Sequence, residues 1–144
     1  IVVFEANTLF TSCMRIKESI VAVKQRFHYF DRYLKPDFFP LFLASVENYV
    51  SIRLVTTTGN TQYGVSCVAA VSMLAQQPFT NYQLIEVAST DLHDRNLRVD
   101  NQIFSLVPGI DRAGMALTDF GPSDSSSEAH EQFDQIIAKG RVIS

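Results

Sequence analysis

Three short runs rich in β-branched and aromatic residues, Arg26-Phe27-His28-Tyr29-Phe30-Asp31, Ser51-Ile52-Arg53-Leu54-Val55-Thr56-Thr57 and Tyr82-Gln83-Leu84-Ile85-Glu86-Val87-Ala88, are separated by two stretches each long enough to hold a helix. This spacing restricts the fold strongly, because strands that run parallel can be joined only by a crossover of about a dozen residues or more. In the first stretch Pro36 and Pro40 stand where a helix begins, and Phe38, Leu41, Phe42, Ser45 and Tyr49 form its buried stripe. The second, residues 65 to 75, is almost wholly apolar or small and is closed by Pro78, which suits a helix buried on most sides. Ahead of the first strand, Phe10, Cys13, Ile16, Ile20 and Val23 recur at helical spacing with Arg15, Lys17, Glu18 and Lys24 between them. The expected architecture is an α/β domain, a mixed sheet flanked by helices.

After residue 88 the pattern changes. Residues 93 to 99 and 102 to 107 read as two extended runs joined by Asp100-Asn101, a pair suited to a tight hairpin. A glycine-punctuated loop follows, Pro108-Gly109-Ile110-Asp111-Arg112-Ala113-Gly114, and then a last strand over about 115 to 120. Ser125-Ser126-Ser127-Glu128 offers a capping box for a final helix over about 126 to 139, with Ala129, Phe133, Ile136 and Ile137 on its apolar face and Gly140 as its C-cap.

The chain has 144 residues, 47% of them hydrophobic and 19% charged, which fits one globular domain with a substantial core. Its first residue is Ile1, so it reads as a processed form or as a segment of a longer protein with flanking domains. A formal charge of -3 argues against attraction of the whole surface to nucleic acid or anionic lipid, and leaves a local cationic pocket as the route to an anionic partner. No apolar run approaches the ~20 residues that span a bilayer. The amino-terminal residues lack the pattern of an intact signal peptide. Cys13 and Cys67 lie in apolar segments without Cys-x-x-Cys spacing, so nothing calls for an oxidising compartment and a cytoplasmic setting is expected. No metal site or cofactor motif is visible.

The chemistry concentrates in His93-Asp94-Arg95-Asn96-Leu97-Arg98-Val99-Asp100. On an extended strand His93 and Arg95 would project from one face, where an imidazole nitrogen can attack phosphorus and a guanidinium can grip phosphate oxygens with two parallel hydrogen bonds. Arg98, three positions from Arg95, would point to the opposite face unless a bulge intervened. Asp100 either orients a partner in the site or is present because Asp favours turns. Arg112 is a further peripheral cation, Asp111 an electrostatic partner, and Arg32 or Arg53 could join from neighbouring strand ends. His28, among strand aromatics, reads as a packed or edge histidine, and His130 as part of a solvated helix face.

The pattern His-x-Arg-x4-Asp resembles the phospholipase D superfamily signature His-x-Lys-x4-Asp, with Arg where that family carries Lys. Two further pieces agree in order. Phe30-Asp31-Arg32-Tyr33-Leu34 is similar to the strand end and Asp-x-Tyr-Leu turn of bacterial phospholipase D-like domains, and Ile52-Arg53-Leu54-Val55-Thr56 to their Ile-Arg-Ile-Leu-Thr strand. The motif also resembles the carboxyl-terminal phospholipase D-like domains of proteins that begin with a microtubule-interacting-and-transport domain, where Gly stands in place of Pro108. That group is regarded as membrane- or phosphoinositide-binding. The likeness spans about residues 20 to 115 and implies no cofactor.

An active member of the superfamily would use one His as nucleophile and a second to protonate the leaving oxygen, without metal. Here a single motif is complete, so the second His would come from a twin chain across a twofold axis. The Arg-for-Lys change, and Gly109-Ile110-Asp111-Arg112 in place of the family's Gly-Ser-x-Asn donors, favour binding over turnover. Two readings stand. One is a catalytically degenerate domain that binds a phosphate-bearing ligand, nucleic acid or phospholipid headgroup, or serves as an interaction module. The other is an active homodimeric phosphodiesterase with His93, Arg95 and Asp100 as its catalytic residues.

Overall fold

The computed structural model of the chain describes residues 2–4, 18, 23–32, 34, 50–58, 81–93, 95–107, 118–122 and 125–142. They include an eight-stranded mixed sheet and a helix near the carboxyl end. In chain order the elements are β1 (Val2–Phe4), β2 (Arg26–Phe30), β3 (Ser51–Thr57), β4 (Tyr82–Val87), β5 (Asn96–Val99), β6 (Gln102–Val107), β7 (Thr118–Pro122), α1 (Ser127–Lys139) and β8 (Arg141–Val142). The strand order across the sheet is β1-β7-β6-β5-β2-β3-β4-β8.

The three aromatic and β-branched runs become the parallel centre β2-β3-β4, with Phe27 opposite Ile52 and Val55 opposite Ile85. Central parallel strands are covered on both faces, which is why these segments read as nearly continuous apolar runs. One face carries Phe30, Val55, Ile85 and Val87, joined by Leu92 and packed against Phe133, Ile136 and Ile137 of α1. Rings of Phe30 and Phe133 lie 4.6 Å apart at a tilt of 44°. The other face carries Phe27, Tyr29, Ile52, Leu54, Leu84 and Leu97, all buried.

From β5 the sheet turns antiparallel: β5 pairs with β2, β6 with β5, and β7 with β6. The expected hairpin is present, with Val99 opposite Gln102 and the turn at Asp100-Asn101. Asp100 has φ 53°, a left-handed conformation that Asp tolerates better than most side chains. The last long strand is described over 118–122, overlapping the expected run at 118–120 while residues 115–117 lie outside the described residues, and two short strands without a periodic signature, β1 and β8, close the sheet edges.

Helix α1 starts one residue later than a Ser125–Glu128 capping box would place it. Ser126 is the N-cap and its hydroxyl accepts the Ala129 N–H at 3.2 Å, so the third helical position is Ala and the reciprocal half of a box is impossible. Ser125 instead accepts the Ile103 N–H at 2.9 Å, tying the helix start to β6. Gly140 ends the helix in an extended conformation, its N–H bonded to the Ile137 carbonyl at 3.1 Å. The expected helices over 36–49 and 65–75, both cysteines and the loop 108–114 lie outside the described residues. Of the expected helix over 8–24, Glu18 is described and is helical and exposed, Val23 is buried, and Lys24 is exposed.

Candidate functional site

Antiparallel pairing fixes where the motif lies. Asn96, the first residue of β5, is opposite Phe30, the last of β2, so Arg95 and His93 sit beyond the carboxyl end of β2. The adjacent β3 and, beyond it, β4 run the same way and end at Thr57 and Val87. The carboxyl ends of parallel strands are where open α/β sheets bind ligands. Leu92, buried with Phe30 and Val87, anchors the loop from β4 and determines where His93 emerges. His93 is exposed.

The structure corrects the expected strand placement of the motif. His93 and Arg95 are not on the strand, because β2 ends at Phe30 and offers residues 93 to 95 no ladder partner. Their common exposure to a ligand therefore rests on the loop and its anchors, not on strand alternation. Asp31 supplies the main anchor. This residue follows β2, is 2% exposed, and its carboxylate accepts the Tyr29 hydroxyl on Oδ2 at 2.7 Å and Arg95 Nε on Oδ1 at 3.3 Å. Tyr29 and Asp31 share a face because they are two positions apart on an extended backbone. Arg95 keeps 26% of its side chain exposed. Nearby, the Arg32 carbonyl accepts the hydroxyls of Thr56 and Thr57 at 3.2 and 3.4 Å, which fixes the turn after β2 to the end of β3. Arg32 is thus at the carboxyl end, as a neighbouring cation.

Asp100 is not in the expected place either: it stands past the opposite end of β5 from Arg95, and five extended residues span about 17 Å. Its carboxylate accepts the backbone N–H groups of Lys24, Gln25 and Arg26, the shortest from Gln25 at 2.7 Å. The Arg26 Nε donates to the Asp100 carbonyl at 2.7 Å. Asp100 therefore clamps the start of β2 and is not brought together with His93 and Arg95.

Arg98 is likewise removed from the site. It is 1% exposed beneath α1, where Nη2 donates to His28 Nδ1 at 2.8 Å and to Asp134 Oδ1 at 2.8 Å, and Nη1 to the His130 carbonyl at 3.3 Å. Its Nε has no hydrogen-bond partner, and burial lowers its pKa against the opposing pull of Asp134. Arg95 and Arg98 have separate partners, Asp31 for the first and His28 with Asp134 for the second, so they do not share a pocket. Arg53 sits at the amino end of β3, bonded to the Ile52 and Asn81 carbonyls and the Asn81 side chain, so it does not join the motif. Asp111 and Arg112 lie outside the described residues.

The other two histidines of the chain are both accounted for. Since Arg has only donors, His28 Nδ1 must accept from Arg98, and Nε2–H then donates to Ser51 Oγ at 3.1 Å. Desolvation, then the charges of Arg98, Arg53 and Arg26, push the His28 pKa down to about 3. His130 is more than a solvated helix residue: its Nδ1 accepts from Arg26 at 3.3 Å and Nε2–H donates to the Asn101 carbonyl at 2.9 Å. Both lie toward the amino end of β2, so His93 is the sole histidine at the carboxyl end. Among the described residues no group of His, Cys, Asp and Glu side chains is spaced to hold a metal ion, and no helix is long and apolar enough to cross a membrane.

Asp31 is the residue of this site that lies outside the motif. Its signal was present as the Tyr-x-Asp spacing at a strand end, which places a carboxylate and a hydroxyl on one face.

No family model and no curated protein sequence matches the chain. Several solved structures are similar in fold. NucT from Helicobacter pylori superposes with a TM-score of 0.64 at 10% identity over 99% of this chain and 98% of that one. TrmBL2, an archaeal chromatin protein described as showing a novel mode of DNA binding, superposes with a TM-score of 0.61 at 13% identity. That match takes in 98% of this chain, which spans about half of TrmBL2 (53%). At these identities the shared property is the fold alone.

Proposed function

We propose that this chain is a phospholipase D-like domain that binds a phosphate-bearing ligand, nucleic acid foremost, through His93 and Arg95 without turning it over. The observation that carries the reading is the placement of an exposed His93 and a part-exposed Arg95 at the carboxyl ends of β2, β3 and β4, with Arg95 held on buried Asp31. A guanidinium is suited to phosphate oxygens because its N–H donors form a planar fork. The general -3 charge of the chain is no obstacle to a local contact of this kind. DNA binding by TrmBL2, a protein of related fold, favours nucleic acid over a lipid headgroup as the source of the phosphate.

Turnover by the two-histidine route lacks its second group within one chain, since His28 and His130 are engaged at the other end of β2. Asp100, the third member of the motif, supports the backbone instead of the site. We place the domain in a cytoplasmic setting, as a single unit over 1–144 that works alone or beside flanking domains. The test is fluorescence anisotropy with labelled single- and double-stranded DNA and, separately, with a soluble inositol phosphate. Binding of DNA that is lost in Arg95→Ala and weakened in His93→Ala supports the proposal; no binding by any of these probes removes it.

A second reading is favoured by one feature, the exposure of His93, which would let a twin chain bring its own His93 across a twofold axis. That homodimer would hydrolyse a phosphodiester in excess chelator. A strictly monomeric protein in solution would eliminate it.

A further inference from the structure

We propose that Asp31 is the positioning residue for Arg95, and that its presence is the reason position 95 carries Arg and not Lys. This rests on the reading of Arg95 as a phosphate contact and adds to it the group that aims the contact.

Asp31 is held from every side. Its backbone N–H donates to the Val55 carbonyl at 2.9 Å and its carbonyl accepts the Leu34 N–H at 3.3 Å, so the main chain is fixed before and after the turn. The carboxylate is buried and its Oδ2 is fixed by Tyr29, whose ring is 1% exposed in the core. A carboxylate so constrained is a rigid reference point in a place where water cannot solvate it freely. The donor it takes from Arg95 is Nε, the nitrogen nearest the stem, and a contact there fixes the direction in which the guanidinium leaves the backbone.

Guanidinium and ammonium differ in a way that matters here. The five N–H donors of Arg are spread over three nitrogens in a plane, so one edge can meet a buried carboxylate while the group extends toward a ligand. The three donors of Lys radiate from one atom. A Lys at position 95 would be captured by Asp31 at a single point and drawn into the protein. The departure of this motif from His-x-Lys is therefore coupled to the carboxylate behind it.

The sign of one substitution separates positioning from simple electrostatics. Asp31→Asn removes a negative charge close to the phosphate, and by Coulomb attraction alone should tighten binding of an anion. Positioning predicts the reverse. The probe is fluorescein-labelled oligothymidylate, with Kd read by anisotropy and melting temperature recorded for each variant. Expected results are a Kd raised about tenfold in Asp31→Asn, the size of a lost charged hydrogen bond, and no further loss when Asp31→Asn is added to Arg95→Ala. Arg95→Lys should bind weakly, and Asp31→Asn/Arg95→Lys should bind more tightly than Arg95→Lys alone, because the ammonium is released. Should Asp31→Asn not fold, Tyr29→Phe serves the same test, since it keeps the core ring, removes one hydroxyl and is expected to raise Kd about threefold.

If Arg95→Ala abolishes binding but Asp31→Asn, or Tyr29→Phe in its place, binds as well as the unmodified protein or better, the positioning role is wrong while the phosphate site stands. If Arg95→Ala binds normally, the phosphate site itself is wrong and the positioning role falls with it.

Discussion

Arg98 Nη2 lies 2.8 Å from His28 Nδ1 in the layer between β5 and α1, so a permanent cation occupies the lone pair that a protonated histidine would have to give up. The same guanidinium reaches Asp134 and the His130 carbonyl and stands 6.0 Å from the centre of the Phe133 ring, which makes it the pin between helix and sheet. Its salt bridge to Asp134 is only half inside the protein, since Asp134 is 58% exposed. The neutral His28 is what allows the cation to remain there.

Acid should therefore loosen this joint. Folding holds the His28 pKa at about 3, against an ordinary value of 6.5 in the unfolded chain. Between these values the unfolded state takes up a proton that the native state refuses, so stability is fully present above about pH 6.5 and falls as pH drops toward 3. The slope from this one group is at most about 1.4 kcal/mol per pH unit. Melting temperatures measured from pH 7 to pH 4 should decline less steeply in His28→Gln than in the unmodified protein, even though the variant starts lower. Parallel declines would show that His28 does not titrate with unfolding.

Asp100 gives the sharpest contrast between motif and structure. Asp100→Ala should cost about 2 kcal/mol, because three backbone donors at the start of β2 lose a charged acceptor. Asp100→Asn should cost less, as Asn tolerates the left-handed conformation and keeps one acceptor. Neither should alter the Kd for DNA by more than about twofold, since about 17 Å of extended chain separates Asp100 from Arg95. Urea denaturation and anisotropy on the same preparations would show this; a large loss of affinity with unchanged stability would return Asp100 to the site.

Gly140 marks a close approach rather than a special backbone angle. A Cβ there would run into Ile85 Cγ2 and lie 3.1 Å from Val87 Cγ1, so Gly140→Ala must push α1 or β8 away from β4. The expected destabilisation is about 1–3 kcal/mol, as for overpacking generally. The midpoint of urea unfolding should drop accordingly, and an unchanged midpoint would mean that the helix end moves at no cost.

The sheet centre was legible because a strand buried on both faces has little freedom in composition. Phe27, Tyr29, Ile52, Leu54 and Leu84 announce themselves as core, and β2, β3 and β4 fall within a residue of expectation. The short edge strands β1 and β8 carry no such signature, since two or three residues cannot display a period. The site was legible in part. His93 and Arg95 were found by residue type and spacing, but spacing alone could not say that the strand begins only at Asn96, which depends on where β2 ends. Nor could it separate Asp100 at a turn from Asp100 in a pocket, because both use the same carboxylate. Asp31 was hidden because its partner is 64 positions away, and only the antiparallel pairing of β5 with β2 brings Arg95 to it.

Binding without turnover is tested most directly by mixing the protein with labelled single-stranded DNA in excess chelator and following anisotropy and strand length in one sample, beside His93→Ala and Arg95→Ala. The account predicts a bound and intact strand, with affinity lost in Arg95→Ala and reduced in His93→Ala. Cleavage by the unmodified protein that disappears in His93→Ala would contradict it and make His93 a nucleophile.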